Sequence, residues 1–312
     1  MRILVTGGAG FIGSHIVELF QGRAEVRVLD NLRSGFRHNL AGFQHEFIEA
    51  SITDREAVRR ALAGVDYVFH LAAMISVPES MHNPTGCNEI NTHGTLVVLE
   101  EAARAGVKKL VFSSSAAIYG DNPVTPKLET MVPEPKSPYA ITKLDGEYYC
   151  KMFSAAGRLA TACLRYFNVF GPRQDPQSQY AAAVPIFIAR AVKSDPITIH
   201  GDGEQTRDFI YVKDIAAANA FFATESPATG VFNVGYGRRM AIKTLAETIC
   251  RSAGSGSIIQ HAPERPGDVK HSLAAVDKLR SAGCHLTGEF NEGLNATIEF
   301  FRRPANPASE RL

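Results

Sequence analysis

The sequence holds no uninterrupted apolar run of the roughly 20 residues that a bilayer-spanning helix needs. No sign of charge dominates it either. Its 33 Lys and Arg against 32 Asp and Glu leave a formal net charge of +1, which gives no electrostatic reason to expect nucleic acid or an anionic membrane as partner. Any anionic ligand must therefore be held by local groups. Cysteine is sparse: the five, at positions 87, 150, 163, 250 and 284, are odd in number and scattered. That pattern argues against a disulfide framework or a zinc site and fits reduced thiols. No internal repeat is visible, and the opening "MRILVTGG" runs straight into a strand-like segment without signal-peptide architecture. The expectation is a cytoplasmic, metal-free protein.

What is present is ordinary globular composition, 45% hydrophobic and 21% charged over 312 residues, with ample length for a buried core. Short runs rich in Val, Ile, Leu and Phe recur at 3–6, 25–29, 47–50, 67–71, 109–113 and 160–166. Between them fall helical patterns at 11–22, 54–63, 91–105 and 138–155. Near-continuous apolar strands alternating with helices predict an α/β fold with a doubly wound, Rossmann-type parallel sheet. Beyond Asn168, Gly and Pro become denser and the strands shorter. This suggests a dinucleotide-binding domain over 1–167 and a smaller substrate lobe over 168–312. The segment at about 212–235 is expected to return to the first sheet. The tail from 302 has loop composition.

Two stretches carry chemistry. In "TGGAGFIGSH", Gly7, Gly10 and Gly13 follow a strand and open a helix, the arrangement that lets backbone approach a pyrophosphate resting on helix N–H groups. The alternative is a merely structural strand–helix turn. Asp30 ends the second strand, where a carboxylate accepts bonds from ribose hydroxyls and repels a 2′-phosphate, favouring NAD over NADP. Arg33 is close enough to soften that preference. In "SPYAITK", Tyr139 and Lys143 lie four residues apart and so share a helix face. Tyrosine and lysine titrate near about 10 and about 10.4, so neither does base chemistry at neutral pH unaided. The pair is either a solvated surface contact or a phenol made reactive by positive charge.

With "TGGAGFIG" (6–13), "HLAA" (70–73), "SSSAAIYG" (113–120), "SPYAITK" (137–143) and "RYFNVFG" (165–171) in this order, the chain resembles the extended short-chain dehydrogenase/reductase family. "GDGEQTRDFIYVKD" (201–214) and "RPGD" (265–268) narrow the likeness to nucleotide-sugar enzymes, UDP-hexose 4-epimerases above all. The resemblance implies a catalytic Ser115, Tyr139 and Lys143, with Ser115 orienting the substrate oxygen. Lys143 and the positively charged nicotinamide would together lower the Tyr139 pKa. It implies an NAD site of Gly7, Gly10, Phe11, Ile12, Gly13, Asp30, Asn31, Ser34, Gly35, Ser51, Ile52, Leu71, Ala72, Ala73, Asn91, Ser113, Tyr139, Lys143 and Tyr166. Ser51 stands where the family commonly has an aspartate for the adenine, and Asp54 falls one turn too late to replace it.

The same resemblance places Asn168, Arg207 and Arg265 at a UDP diphosphate, Asp268 near the uridine ribose, and Ala182, Thr198 and His200 at the uracil. An exposed loop histidine is an equal alternative for His200, and salt bridges to Asp208 and Asp268 are alternatives for the two arginines. Ser76 and Ser272 are expected at the sugar, where a small Ser272 leaves room for an N-acetyl group. Dehydratases of the family carry an Asp-Glu pair after the catalytic hydroxyl residue; here those positions are Ala116 and Ala117. A UDP-sugar substrate, C4 epimerisation and a homodimer are thus implied. A UDP-uronate epimerase, a 4-ketosugar reductase and a non-catalytic NAD-binding scaffold remain as alternatives.

Overall fold

Ile3, Leu4 and Val5 of the first strand, β1 (Arg2–Thr6), are all fully shielded, so this strand needs cover on both faces. It gets it in a computed structural model that describes residues 1–176, 182–264 and 270–303. β2 (Glu25–Asp30), β3 (Glu46–Glu49), β4 (Tyr67–His70), β5 (Lys109–Ser115), β6 (Ala160–Tyr166) and a strand at Gly230–Val234 complete one parallel sheet. Its order is Gly230–Val234, β6, β5, β4, β1, β2, β3. The chain runs outward from β1 to β3, crosses back, and runs outward again from β4, so the order reverses between β1 and β4.

The two-residue period of the strands sorts side chains into two layers. Ile3, Val5, Val28, Val111 and Leu164 pack under the helices Phe11–Leu19 and Val212–Thr224. Leu4, Leu29, Val68, Leu110 and Phe112 pack under Arg55–Ala61, Gly94–Arg104 and Pro138–Ala155. The first layer continues without a break into the region after Asn168, through Phe170, Ile188, Ile210 and Leu245. There the strands are short: Asn168–Phe170 pairs with Phe209–Tyr211, Ile197–His200 with Ile259–Ala262, and Thr206–Arg207 with Met240–Ala241.

Two helix starts differ from the sequence pattern for local reasons. Asp54 is a cap, not a helical residue; its carboxylate accepts the N–H groups of Glu56 and Ala57 at 3.1 Å. The expected helix over 91–105 is composite, a π-helical turn at Glu89–His93 leading into Gly94–Arg104. The wide turn aims Asn91 inward, where its side-chain amide brackets the backbone of Met74, accepting its N–H at 2.7 Å and donating to its carbonyl at 3.0 Å. All five cysteines are free. Among the described residues no helix is long and apolar enough to cross a membrane. The tail beyond 303 lies outside the described residues.

Packing at the β1–helix turn leaves no room for even a methyl group at Gly13, where a Cβ would stand 2.2 Å from the Gly7 carbonyl oxygen. Gly13→Ala is expected to cost about 1–3 kcal/mol by forcing backbone apart, read as a fall of several degrees in the thermal unfolding midpoint. An unchanged midpoint would contradict this close crossing.

Candidate active site

At the carboxyl ends of β1 and β4, three glycines divide their work. Gly7 has φ +71°, and a Cβ on it would stand 2.7 Å from the Ala72 nitrogen; with Gly13 it lets the backbones cross. Gly10 is different. A Cβ there would meet only the Gly7 oxygen, at 3.2 Å, and otherwise open space in front of the Phe11–Leu19 helix. The first-turn amides of that helix (Phe11, Ile12, Gly13) have no intrahelical acceptor.

Asp30 is only 7% exposed. Its carboxylate accepts the Ala9 N–H at 2.9 Å and the Leu32 N–H at 2.8 Å, fixing the glycine turn to the end of β2. Burial pushes its pKa up while these two bonds pull it down. Gly35 lets the following loop lie on the turn, since a Cβ there would stand 2.8 Å from the Ala9 carbonyl carbon. Asn31 and Ser34 are exposed on that loop. Arg33 is held by Glu79 at 2.5 Å, a tie that competes with any 2′-phosphate. Ser51 bonds Thr53 at 2.8 Å, next to buried Ile52. Leu71, Ala72 and Ala73 form the opposite rim, with the N–H groups of Leu71 and Ala72 donated to Thr6.

β5 ends in three serines, with Ser115 at its carboxyl end. The Pro138–Ala155 helix begins with Pro138 at its first position and Ser137 as cap, the Ser137 Oγ accepting the Ala140 N–H at 3.2 Å. Tyr139 therefore sits in the first turn, where its own N–H is donated to Ser80 Oγ at 3.2 Å. Ser80 was not apparent as a site residue; nothing in its local sequence distinguishes it from other helix serines. The Ser115 hydroxyl accepts the Ala117 N–H at 3.1 Å and lies close enough to the Tyr139 phenol to favour its ionised form.

Lys143 is 4% exposed; its ammonium donates to the Ser113 carbonyl at 2.7 Å and lies 5.0 Å from the Phe112 ring centre and 5.8 Å from that of Tyr139. Burial pulls it down to about 8. Burial also pushes Tyr139 up, only partly offset by Ser115. In the protein alone, then, Lys143 does not bring the phenol toward neutrality. The sequence-based account relied on two cations, and the chain supplies one.

The remaining expected residues separate into groups. Ser113 and Tyr166 spend their hydroxyls on each other at 3.0 Å, and Tyr166 also on Asn219; burial holds Tyr166 up at about 12. Their side chains brace the layer below Lys143. Ser76 caps the Val77–His82 helix by accepting the Glu79 N–H at 3.1 Å.

In the later region the backbone N–H and side-chain amide of Asn168 both donate to the Asp208 carbonyl. Arg207 donates to the carbonyls of Thr206 and Lys270, and the Ser272 N–H to the same Thr206 oxygen at 3.1 Å, so Arg207 and Ser272 are neighbours. The Asp208 carboxylate accepts the N–H groups of Tyr236, Gly237 and Ala274, and burial raises it to about 6. Thr198 and His200 lie on one short strand, bonded to Gln260 and to the Pro263 carbonyl. Ala182 is exposed at the head of the Ala183–Lys193 helix. Arg265 and Asp268 lie outside the described residues.

Residues 3–235 match the NAD dependent epimerase/dehydratase family. The chain belongs to it. A UDP-N-acetylglucosamine 4-epimerase from Methanobrevibacter ruminantium, solved with UDP-N-acetylmuramic acid, is 42% identical, covers 96% of this chain and 97% of its own, and superposes with a TM-score of 0.93. A UDP-glucose 4-epimerase from Thermotoga maritima with UDP-glucose is likewise 42% identical, over 97% and 99%, with a TM-score of 0.92. A protein named putative UDP-glucose 4-epimerase from Methanocaldococcus jannaschii is 36% identical over 96% of this chain and 98% of its own. As in this NAD-dependent family at large, the cradle fits a dinucleotide: Gly10 leaves open a space that a side chain would fill, and Asp30 keeps acceptor capacity beyond its two backbone bonds.

Lys143 gives the site a pH signature. Its folded-state pKa of about 8 lies below the ordinary 10.5, so between those values the unfolded chain binds more protons and stability rises with pH. In protein stripped of dinucleotide, Lys143→Met is expected to remove that rise, worth up to about 3 kcal/mol, and to be no less stable than the parent at pH 7. Urea unfolding from pH 7 to 10 measures it. Lys109, also depressed to about 8, contributes equally to both proteins, so the difference isolates Lys143. Parallel curves would show that Lys143 is not strained by burial.

Proposed function

We propose that this chain is an NAD-dependent UDP-sugar 4-epimerase that oxidises the C4 carbinol transiently, lets the keto-sugar turn, and reduces it from its other face. The single observation that carries this reading is the Ser115–Tyr139 hydroxyl pair beside a buried ammonium, at the reversal of strand order, with alanine at 116 and 117. NAD, when bound, supplies the hydride acceptor for C4 and a positive charge. Tyr139 takes the C4 hydroxyl proton and returns it; Ser115 holds the same oxygen in line; Lys143 keeps positive charge behind the phenol. With no carboxylate at 116 or 117, no second acid–base group is in place to eliminate water, and the ketone can only return to alcohol.

Residues 1–167, with 212–235, hold the dinucleotide, and 168–312 hold the nucleotide sugar. Asn168, Arg207 and Arg265 take the diphosphate, Asp268 the uridine ribose, Ala182, Thr198 and His200 the uracil, and Ser76 the sugar. Ser272, adjacent to Arg207, leaves the C2 side open, so UDP-N-acetylglucosamine is a substrate beside UDP-glucose.

Incubation with UDP-glucose, UDP-N-acetylglucosamine and their uronates, without added cofactor, should give C4-inverted product for the first two by NMR. Dependence on added NADH would mark a reductase instead, and inversion of the uronates alone a uronate epimerase. Tyr139→Phe should lose about 10²–10⁴-fold in kcat with UDP affinity unchanged; a near-normal rate would overturn the assignment.

A homodimer is part of the proposal. Ile141, Tyr148 and Met152, at 48%, 54% and 62% exposed, line one face of the Pro138–Ala155 helix as an apolar stripe. Sedimentation equilibrium should give twice the chain mass, reduced to one by Tyr148→Glu with Met152→Glu; a parent monomer would refute it.

A further inference from the structure

One row of polar side chains crosses an otherwise apolar layer directly beneath the Pro138–Ala155 helix. Sheet register aligns Ser114 of β5 with Arg165 of β6, and Arg165 with Asn233 of the Gly230–Val234 strand. From the helix, Glu147 descends onto this row. It lies one turn beyond Lys143 and two beyond Tyr139, so the three share one helix face.

The bonds are continuous. Arg165 grips Glu147 with two nitrogens, Nε to Oε1 at 2.8 Å and Nη2 to Oε2 at 2.7 Å. Ser114 donates to the same Oε1. The third arm, Nη1, donates to the Tyr119 hydroxyl at 2.8 Å, and that hydroxyl donates to Asn233 Oδ1 at 2.7 Å. Both charged side chains are 4% exposed.

Stability alone does not account for this pair, because a buried ion pair is commonly matched or bettered by apolar residues of the same volume. Its placement does. Ser114 directly precedes Ser115, Tyr119 closes the Ala116–Tyr119 turn that directly follows it, and Glu147 rides the helix that carries Tyr139. Apolar packing against Phe112, Cys150, Phe153 and Cys163 tolerates small sliding of a helix along strands; a two-pronged guanidinium–carboxylate grip does not.

We propose that the Glu147–Arg165 pair, extended by Tyr119, is a positioning element that sets the separation of the Ser115 and Tyr139 hydroxyls. The inference rests on the reading of those two as the reacting pair. Arg165 and Tyr119 touch neither substrate nor dinucleotide in this role; they act by fixing both flanks of Ser115 against the helix. Misplacement of reacting groups by about 1 Å lowers rate by up to about 10²-fold with little effect on binding.

The test uses the NAD-loaded enzyme and four variants: Tyr119→Phe, Arg165→Lys, Glu147→Gln and Tyr139→Phe. Tyr119→Phe keeps the ion pair and the ring, so it remains informative where the charge variants fail to fold. Tyr119→Phe and Arg165→Lys are expected to lower kcat about 10- to 100-fold while KM for the UDP-sugar and NAD content stay within about twofold. If their kcat is near that of the parent while Tyr139→Phe is inactive, the positioning role is overturned and the catalytic assignment stands. A rate loss that merely follows the folded, NAD-loaded fraction overturns it as well. If Tyr139→Phe itself turns over normally, the catalytic assignment fails, and this inference with it.

Discussion

An ammonium group buried against a single backbone carbonyl is the constraint around which the site is built. Among the described residues Lys143 makes no ion pair with a carboxylate, and burial already draws its pKa down to about 8. A carboxylate in contact would cancel the charge that a neighbouring phenol needs. The one acid on the same helix face, Glu147, is instead fully engaged by Arg165 and Ser114. The negative charge nearest the site along that face is thus neutralised within the protein, and Lys143 keeps its field.

This arrangement also explains why the phenol stands above its ordinary range in the protein alone. Burial costs a phenolate more than Ser115 returns, and Lys143, titrating at about 8, has already lost its proton at the pH where the phenol would ionise. Proton transfer then becomes conditional. On the proposed mechanism, Tyr139 is a poor base until a second positive charge arrives, which couples its reactivity to an occupied dinucleotide cleft. Such coupling is useful where free keto-sugar would otherwise be lost.

The sheet was legible because its signal is local. Apolar runs at 3–6, 109–113 and 160–166 fall inside β1, β5 and β6, and the glycine turn announces the strand–helix junction on its own. Helix ends were less legible where a side chain competes with the backbone, as at Asp54, or where a π-helical turn intervenes at Glu89–His93. Spacing cannot register an extra residue in a turn that is set by the grip of Asn91 on Met74. Within the site, motif order pointed to Ser115, Tyr139 and Lys143, and the structure brings these three side chains close to one another. It could not show that the hydroxyls of Ser113 and Tyr166 bond each other, nor that Tyr166 also bonds Asn219. The Ser114–Tyr119–Glu147–Arg165–Asn233 set escaped notice because its members come from five elements that only the strand register brings together.

The two ends of the site differ in how firmly they are built. At the glycine turn, where the dinucleotide is proposed to bind, Asp30, Asn39 and Gly35 tie the turn down through bonds of 2.9 Å and a close backbone approach. On the other side, Asn168 and Arg207 lie on strand pairs two or three residues long, and the Ser272 N–H is donated to the Thr206 carbonyl beside them. Pairs of that length are marginal alone and borrow order from the core under Phe170 and Ile210. A reaction in which the dinucleotide stays fixed while a sugar must turn over calls for this inequality. On the proposed mechanism, the rigid half sets where the hydride and proton leave from, and the looser half anchors a nucleotide without gripping the ring attached to it.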